Sequence, residues 1–253
     1  MAHVDHLNIR ATASAWTEAI LDRLLPRHCV MCGLSSGPEN LCRPCAAELP
    51  RIGHGCLQCG LPLLNHADRF CGHCLCKTPP WTWAVAALVY RFPVDQLVCR
   101  FKFGRNLACG QILSRELILA VEEKCKKLPA CILPVPLHHS RHFSRTFNQA
   151  DLLARQTGKA LGIPVYSSIL RRYRRTRAHS GLDAAQRKSN IKGAFECAIP
   201  ARKKAAFSHV ALLDDVMTTG ATLTECTRVL KKAGAGRVSV WVAARAPEPY
   251  EDK

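Results

Sequence analysis

The sequence predicts an α/β protein, a largely parallel sheet flanked by helices, preceded by a small module held by cysteines. Three observations carry that expectation. Eight of the fifteen cysteines form four C-x-x-C pairs between residues 29 and 74, and beyond about residue 80 short apolar runs alternate with helix-like segments. One of those runs, Val210 to Leu213, ends in paired carboxylates followed by small hydroxyl residues, "DDVMTTGAT". Strands alternating with helices favour a parallel sheet, and in such sheets ligands gather at the carboxyl ends of the strands.

The N-terminal stretch, residues 1–25, has one short amphipathic segment, Ala15 to Leu25, expected to be a helix that packs on the core or on a partner. It lacks the basic start, apolar centre and small-residue cleavage site of an export signal, so a cytoplasmic protein is expected. No run of about 18 uncharged apolar residues predicts a membrane span.

With no export signal, the cysteines call for an explanation other than disulfides. The pairs are Cys29/Cys32, Cys42/Cys45, Cys56/Cys59 and Cys71/Cys74, and two are followed at once by glycine (CVMCG, CLQCG). A glycine there lets the backbone turn its amides toward the thiolates, as in a zinc knuckle. Four thiolates satisfy tetrahedral Zn²⁺, so the count fits two closed structural sites. Four redox-active pairs fit less well, because a thioredoxin-like motif comes singly in a strand–helix context. Sequential pairing gives a double zinc ribbon over residues 26–80, alternating pairing a cross-braced module; the sequential one is favoured. Cys99, Cys109, Cys125, Cys131, Cys197 and Cys226 are expected to behave as small buried apolar residues, and Cys76 is a spare neighbour of the last pair.

The formal charge is +17, and ionising eight thiols around two zinc ions still leaves about +13. Much of it lies in "RRYRRTR", Arg171 to Arg177. Such a balance suits polyanionic partners, a phosphorylated substrate or a nucleic acid, although a single cluster is equally a solvated face.

After a linker-like "KTPPWTW" (Lys77 to Trp83), strands are expected at Val85 to Phe92, Ile132 to Leu137, Ala194 to Ala198, His209 to Asp214 and Arg237 to Arg245. Helices are expected at Gln111 to Lys126, Asn148 to Leu161 and Leu223 to Ala233, the last ended by Gly234. The strand ending at Leu213 then delivers Asp214 and Asp215 to the ligand edge, and Thr218, Thr219, Gly220, Ala221 and Thr222 lead into the next helix. Amides at a helix N-terminus with threonine hydroxyls make a phosphate cradle, while two carboxylates suit hydroxyls or a metal. A sugar phosphate meets both demands; a strand-to-helix turn with capping residues meets them without any ligand.

The segment "DDVMTTGAT" resembles the 5-phosphoribosyl-1-pyrophosphate (PRPP) motif of type I phosphoribosyltransferases. With the cysteine pairs, "LVYRFPVDQLVCRFKFGR", "LPVPLHHSRHFSRTFNQADLLA" and "GLDAAQRKSNIKGAF" in that order, the chain is similar to the ComF/GntX family, in which a double zinc ribbon precedes a phosphoribosyltransferase-like domain, here residues 81–253. The resemblance implies that Asp214 and Asp215 hold the ribose hydroxyls, directly or through Mg²⁺, and that Thr218 to Thr222 hold the 5′-phosphate. It makes Lys102, Arg141, Arg145, Asn148 and Gln149 candidates to meet or organise the pyrophosphate, and Arg174 to Lys192 the loop that closes over the site. It names no catalytic residue.

Three positions depart from the family pattern. Thr146 stands where a glycine is usual, His179 where a glutamine is common, and Thr218 where purine-specific relatives place an aspartate. His138, His139 and His142 lie near the pyrophosphate segment. Two functions follow from the resemblance. One is a PRPP-binding accessory in natural transformation or the use of external DNA, with single-stranded DNA and a DNA-uptake helicase as partners and Tyr173, Trp81 and Trp83 as candidate stacking residues, although packing between the two modules explains the tryptophans equally well. The other is a phosphoribosyltransferase acting with Mg²⁺ on an unidentified acceptor. Relatives of the fold are often homodimers, although no stretch here identifies an interface.

Overall fold

In a computed structural model of the protein, residues 27–36, 39–137, 147–174, 191–199 and 205–247 are described. The helix expected within residues 1–25 lies outside them. The chain divides into two compact units, Met1–Leu49 and Pro50–Lys253.

The first unit carries Cys29, Cys32, Cys42 and Cys45. Gly33, with φ of 77°, turns its N–H back to the Cys29 carbonyl at 2.9 Å. Helix α1 (Arg43–Ala47) starts directly after Cys42, with a proline in its first turn, where no amide partner is lost, and carries Cys45. The second unit opens with the same device. The Gly60 N–H (φ 68°) donates to the Cys56 carbonyl at 2.7 Å, and helix α2 (Gly72–Cys76) follows Cys71 and carries Cys74.

The main sheet has four parallel strands in the order β1 (Trp83–Val89), β6 (Arg237–Arg245), β5 (His209–Met217), β2 (Cys131–Pro134). Its central strands read as near-continuous apolar runs because both faces are covered. Strand β2 is shorter than expected: prolines at 134 and 136 cannot donate to a ladder, and after one more bond, Val135 N–H to the Leu213 carbonyl, the chain leaves the sheet. Strand β1 lies two residues earlier than its expected start and ends at Val89.

Helix α3 (Val94–Phe103) was not among the expected elements. Its signal is Val94, Leu97, Val98 and Phe101, spaced i, i+3, i+4, i+7 and all fully buried. Helix α4 (Leu107–Lys124) starts earlier than expected because the Asn106 side chain accepts the Cys109 N–H. Helix α5 (Gln149–Leu161) ends at Gly162 in the left-handed conformation. These two helices pack on each other and across the sheet, whereas α6 (Ala221–Lys232) packs on β5 and β6 and meets a small antiparallel pair, β3 (Leu170–Arg172) and β4 (Phe195–Cys197). Strand β3 was also unforeseen.

Cys109, Cys131 and Cys226 are buried as expected, and Cys125 and Cys197 are half-buried. Cys99 corrects the pattern. It lies on the exposed side of α3, because the buried side is already filled by Leu97, Val98 and Phe101.

Candidate functional site

Strand β5 does not stop at Asp214, where the apolar run ends. It runs on to Met217, paired with β6 through Met217 and Arg245, while β2 has already left the ladder on its other side. Asp214 and Asp215 therefore lie within the carboxyl end of a strand with one flank open, beside a cavity of about 500 Å³. Lys102, Gln149, Arg172 and residues 214–223 line it.

Successive strand residues face opposite ways, which gives the two aspartates different neighbours. Lys102 from α3 meets Asp215 at 2.9 Å. The charge of Arg172, from β3, acts on Asp214. Part of Asp214 reaches the cavity, yet protein atoms crowd around its carboxyl group. Burial, then the charge of Asp215, push its pKa to about 7, against the pull of Lys102 and Arg172.

Beyond the carboxylates, Thr218 and Thr219 are exposed and Gly220 takes φ of 71° as the N-cap of α6. A side chain there is strained by that φ, and its Cβ would also sit 3.2 Å from Cη2 of Trp81. The helix begins at Ala221, two residues earlier than expected, so its first amides belong to the loop facing the cavity.

The remaining candidates separate. Asn148 caps α5: its carbonyl oxygen accepts the Ala150 N–H at 3.1 Å and its amide donates to the Val135 carbonyl at 3.0 Å. Those bonds suit organising the segment rather than reaching a ligand. Gln149 is 1% exposed, lines the cavity, and neither amide atom has a partner among the described residues. Arg141, Arg145 and Thr146 lie outside the described residues, as do His138, His139, His142, His179 and most of the 174–192 segment. Sequence reasoning missed Arg172, a 5% exposed cation whose guanidinium lies 5.4 Å from the centre of the Phe195 ring. No sequence signal marks it: β3 is three residues long, buried–exposed–buried only in the fold, and lies at the edge of the basic cluster. It also missed Tyr90, whose hydroxyl is pushed up in pKa by burial and by Cys99.

Of the two readings for Trp81 and Trp83, stacking on bases or packing within the protein, the structure shows packing. Trp81 is 4% exposed and its indole N–H donates to the Gln58 carbonyl, while Trp83 packs edge-on against His209. Tyr173 is exposed, with its hydroxyl on the Gly193 carbonyl at 2.7 Å.

The eight cysteines assemble in the sequential pairing: Cys29, Cys32, Cys42 and Cys45 converge with their sulfurs within 4.8 Å of one another, and Cys56, Cys59, Cys71 and Cys74 do the same. The Cys32–Cys42 and Cys59–Cys71 sulfurs are each 3.6 Å apart, close to the edge of roughly 3.8 Å of a tetrahedron with Zn–S of about 2.3 Å. Burial resists ionisation of Cys29, but the amides of Cys42, Cys32 and Met31 outweigh it and bring its pKa to about 6. Cys59 is pushed up to about 11, chiefly by burial, with the charge on Cys56 adding to it, and Cys74 rises further for the same reasons. Four crowded thiols cannot all ionise without a cation, so the donor set fits two structural zinc ions with no open position.

Comparison with known proteins agrees with both parts. The double zinc ribbon domain family matches residues 20–75, and the phosphoribosyl transferase domain family matches residues 153–253. The chain is similar to Competence protein F of Haemophilus influenzae, 38% identical over 224 residues that cover 86% of this chain and 96% of the relative. It is 35% identical over 227 residues to DNA utilization protein YhgH of Escherichia coli K12, covering 87% and 98%. It is 25% identical over 221 residues to Competence protein ComFC of Bacillus subtilis, covering 82% and 85%. Two clustered four-cysteine groups, a parallel sheet presenting paired carboxylates before a glycine-turned loop, and these near-full-length matches place the chain in the ComF/GntX family, a phosphoribosyltransferase-like fold with an N-terminal double zinc ribbon.

Proposed function

We propose that this protein binds PRPP in the β5 cavity and acts in the cytoplasm as an accessory in the uptake or use of DNA. The observation that carries the reading is the order of groups along one wall: carboxylates at Asp214 and Asp215, then threonines and the glycine-turned start of α6. That order matches the diol and the 5′-phosphate of a phosphoribosyl group. Lys102 and Arg172 supply positive charge where a diphosphate has to be neutralised. The oxygen donors of the two aspartates fit Mg²⁺, which when bound with PRPP would neutralise its diphosphate. The DNA part rests on what the relatives are called, Competence protein F and DNA utilization protein, and on the net charge of +17.

The test is a ³¹P NMR time course of PRPP and Mg²⁺ with zinc-loaded protein and mixed nucleobases, beside an Asp214→Ala/Asp215→Ala variant. Broadened PRPP lines with wild type alone are expected. Pyrophosphate released only by wild type would instead establish a transferase, and no broadening in either sample would remove the PRPP reading.

A further inference from the structure

The second four-cysteine group is joined to the phosphate loop by two side chains, each touching both. Arg245, at the end of β6, donates from Nε to the Cys59 carbonyl at 3.1 Å. Its Nη1 donates to the carbonyls of Thr218 at 2.7 Å and Met217 at 3.3 Å. Trp81 donates its indole N–H to the Gln58 carbonyl, and its ring lies against Gly220, at the start of α6. Gln58 and Cys59 are the last two residues of the knuckle C-L-Q-C, Cys56 to Cys59; Thr218 to Gly220 form the loop proposed to hold the phosphate.

We propose that Arg245 and Trp81 are positioning residues that link metal occupancy of the Cys56/Cys59/Cys71/Cys74 site to phosphoribosyl binding at the β5 cavity. The inference rests on the PRPP reading of that cavity. A peptide unit is planar, with C=O and N–H antiparallel, so fixing the Thr218 carbonyl on the guanidinium turns the Thr219 N–H the opposite way. The direction of the loop amides thus depends on where Arg245 is held. Arg245 is held in turn by the Cys59 carbonyl and by the Ala246 carbonyl, which its Nη1 meets at 2.6 Å; the turn from Cys56 to Gly60 sets the direction of the Cys59 carbonyl, and a metal on the thiolates would fix that turn. Gly60 adds rigidity: a Cβ there would lie 2.7 Å from the Ala86 Cβ, so the knuckle sits directly on β1. Metal loss frees the knuckle carbonyls, and both supports of the loop lose their anchor on the knuckle.

Coupling of this kind is reciprocal in binding free energy, so PRPP must tighten zinc by the factor by which zinc tightens PRPP, and slower zinc release is its expected kinetic expression. The experiment follows zinc transfer from the full-length protein to a chromogenic chelator, with and without saturating PRPP and Mg²⁺. Binding is checked on the same samples by ³¹P line broadening. Two release phases are expected, one per site, with one phase slowed about 5-fold or more by PRPP and the other unchanged. In Arg245→Lys, which keeps the charge but loses the fork, the slowing falls below about 2-fold while metal analysis still gives two zinc ions per chain. Trp81→Phe, which keeps an aromatic side chain but loses the indole N–H, provides the same reading if the arginine variant does not fold. PRPP that binds yet leaves both phases unchanged overturns the coupling and spares the PRPP reading. Protection undiminished in folded Arg245→Lys and Trp81→Phe overturns the assignment to these residues, and PRPP that fails to bind overturns both proposals.

Discussion

Asp214 and Gln149 show how single side chains in the cavity trade stability for binding. A carboxyl group whose pKa is raised to about 7 holds its proton more tightly in the folded than in the unfolded chain. Between about pH 4 and pH 7 its contribution to stability therefore falls as pH rises. A diol or Mg²⁺ needs the ionised form, so PRPP binding should strengthen from pH 6 to pH 8; titration calorimetry across that range checks this. Lys102→Ala should move the midpoint upward, since Lys102 pulls the Asp214 pKa down. Thermal melts of wild type against Asp214→Asn, from pH 5.5 to 8, isolate the stability slope, because the zinc sites are common to both. Gln149 has a buried amide without a partner among the described residues. Replacing it with leucine, of similar size, should leave the melting temperature unchanged or higher yet weaken PRPP binding several-fold. Loss of both together would mean that the amide serves the core.

At the level of elements, the loop after β5 and the outer side of α3 make separate demands. Gly220→Ala places a side chain at positive φ against Trp81, at about 1–2 kcal/mol of strain. The expected outcome is a lost ³¹P signal change with PRPP but a fold retained by circular dichroism. On α3 and the turn before it, Phe92 and Phe103, the second also at the rim of the β5 cavity, are more than 60% exposed, with Arg91, Arg100 and Arg105 alongside in sequence. Aromatic faces among arginines suit stacked bases, a role for which Trp81 is too deeply buried. If single-stranded DNA binds here, Phe92→Ala/Phe103→Ala should weaken it about 10-fold or more with the salt slope kept, since stacking rather than charge is removed; fluorescence anisotropy at two salt concentrations reads both. The helix itself was legible in "VDQLVCRF" by its i, i+3, i+4, i+7 spacing. Strand β3 was not, because three residues carry too short a period to stand out from a run of arginines.

For the whole molecule, the division after Leu49 puts the two four-cysteine groups in different compact units. The second group shares a unit with the sheet, and Arg51 in that unit forks onto the buried Glu116 of α4 at 2.7 and 3.0 Å. Chelation should therefore lower the main calorimetric transition by several degrees. A Cys29→Ser/Cys32→Ser variant should leave that transition within a few degrees of wild type and bind one zinc ion fewer. A large shift in that variant would show that the first group also supports the sheet.

Cysteine spacing by itself determined the metal ligands, because a C-x-x-C turn presents two thiolates to one ion within a few residues of chain. The pattern of apolar runs determined the alternation of strands and helices, and local chemistry marked the loop proposed to hold the phosphate, because a carboxylate pair is followed there by threonines and glycine. Only the tertiary structure decided which cysteine pairs meet, since ligands ten to fifteen residues apart in sequence can close on either neighbour. It also decided that Lys102 and Arg172, about 112 and 42 residues from Asp214, stand beside the carboxylates, because sheet order and not chain order sets who faces the open flank of β5. And it decided that a tryptophan in an apparent linker and the last arginine of β6 join a zinc knuckle to the phosphate loop, a contact across 186 residues that no local pattern encodes.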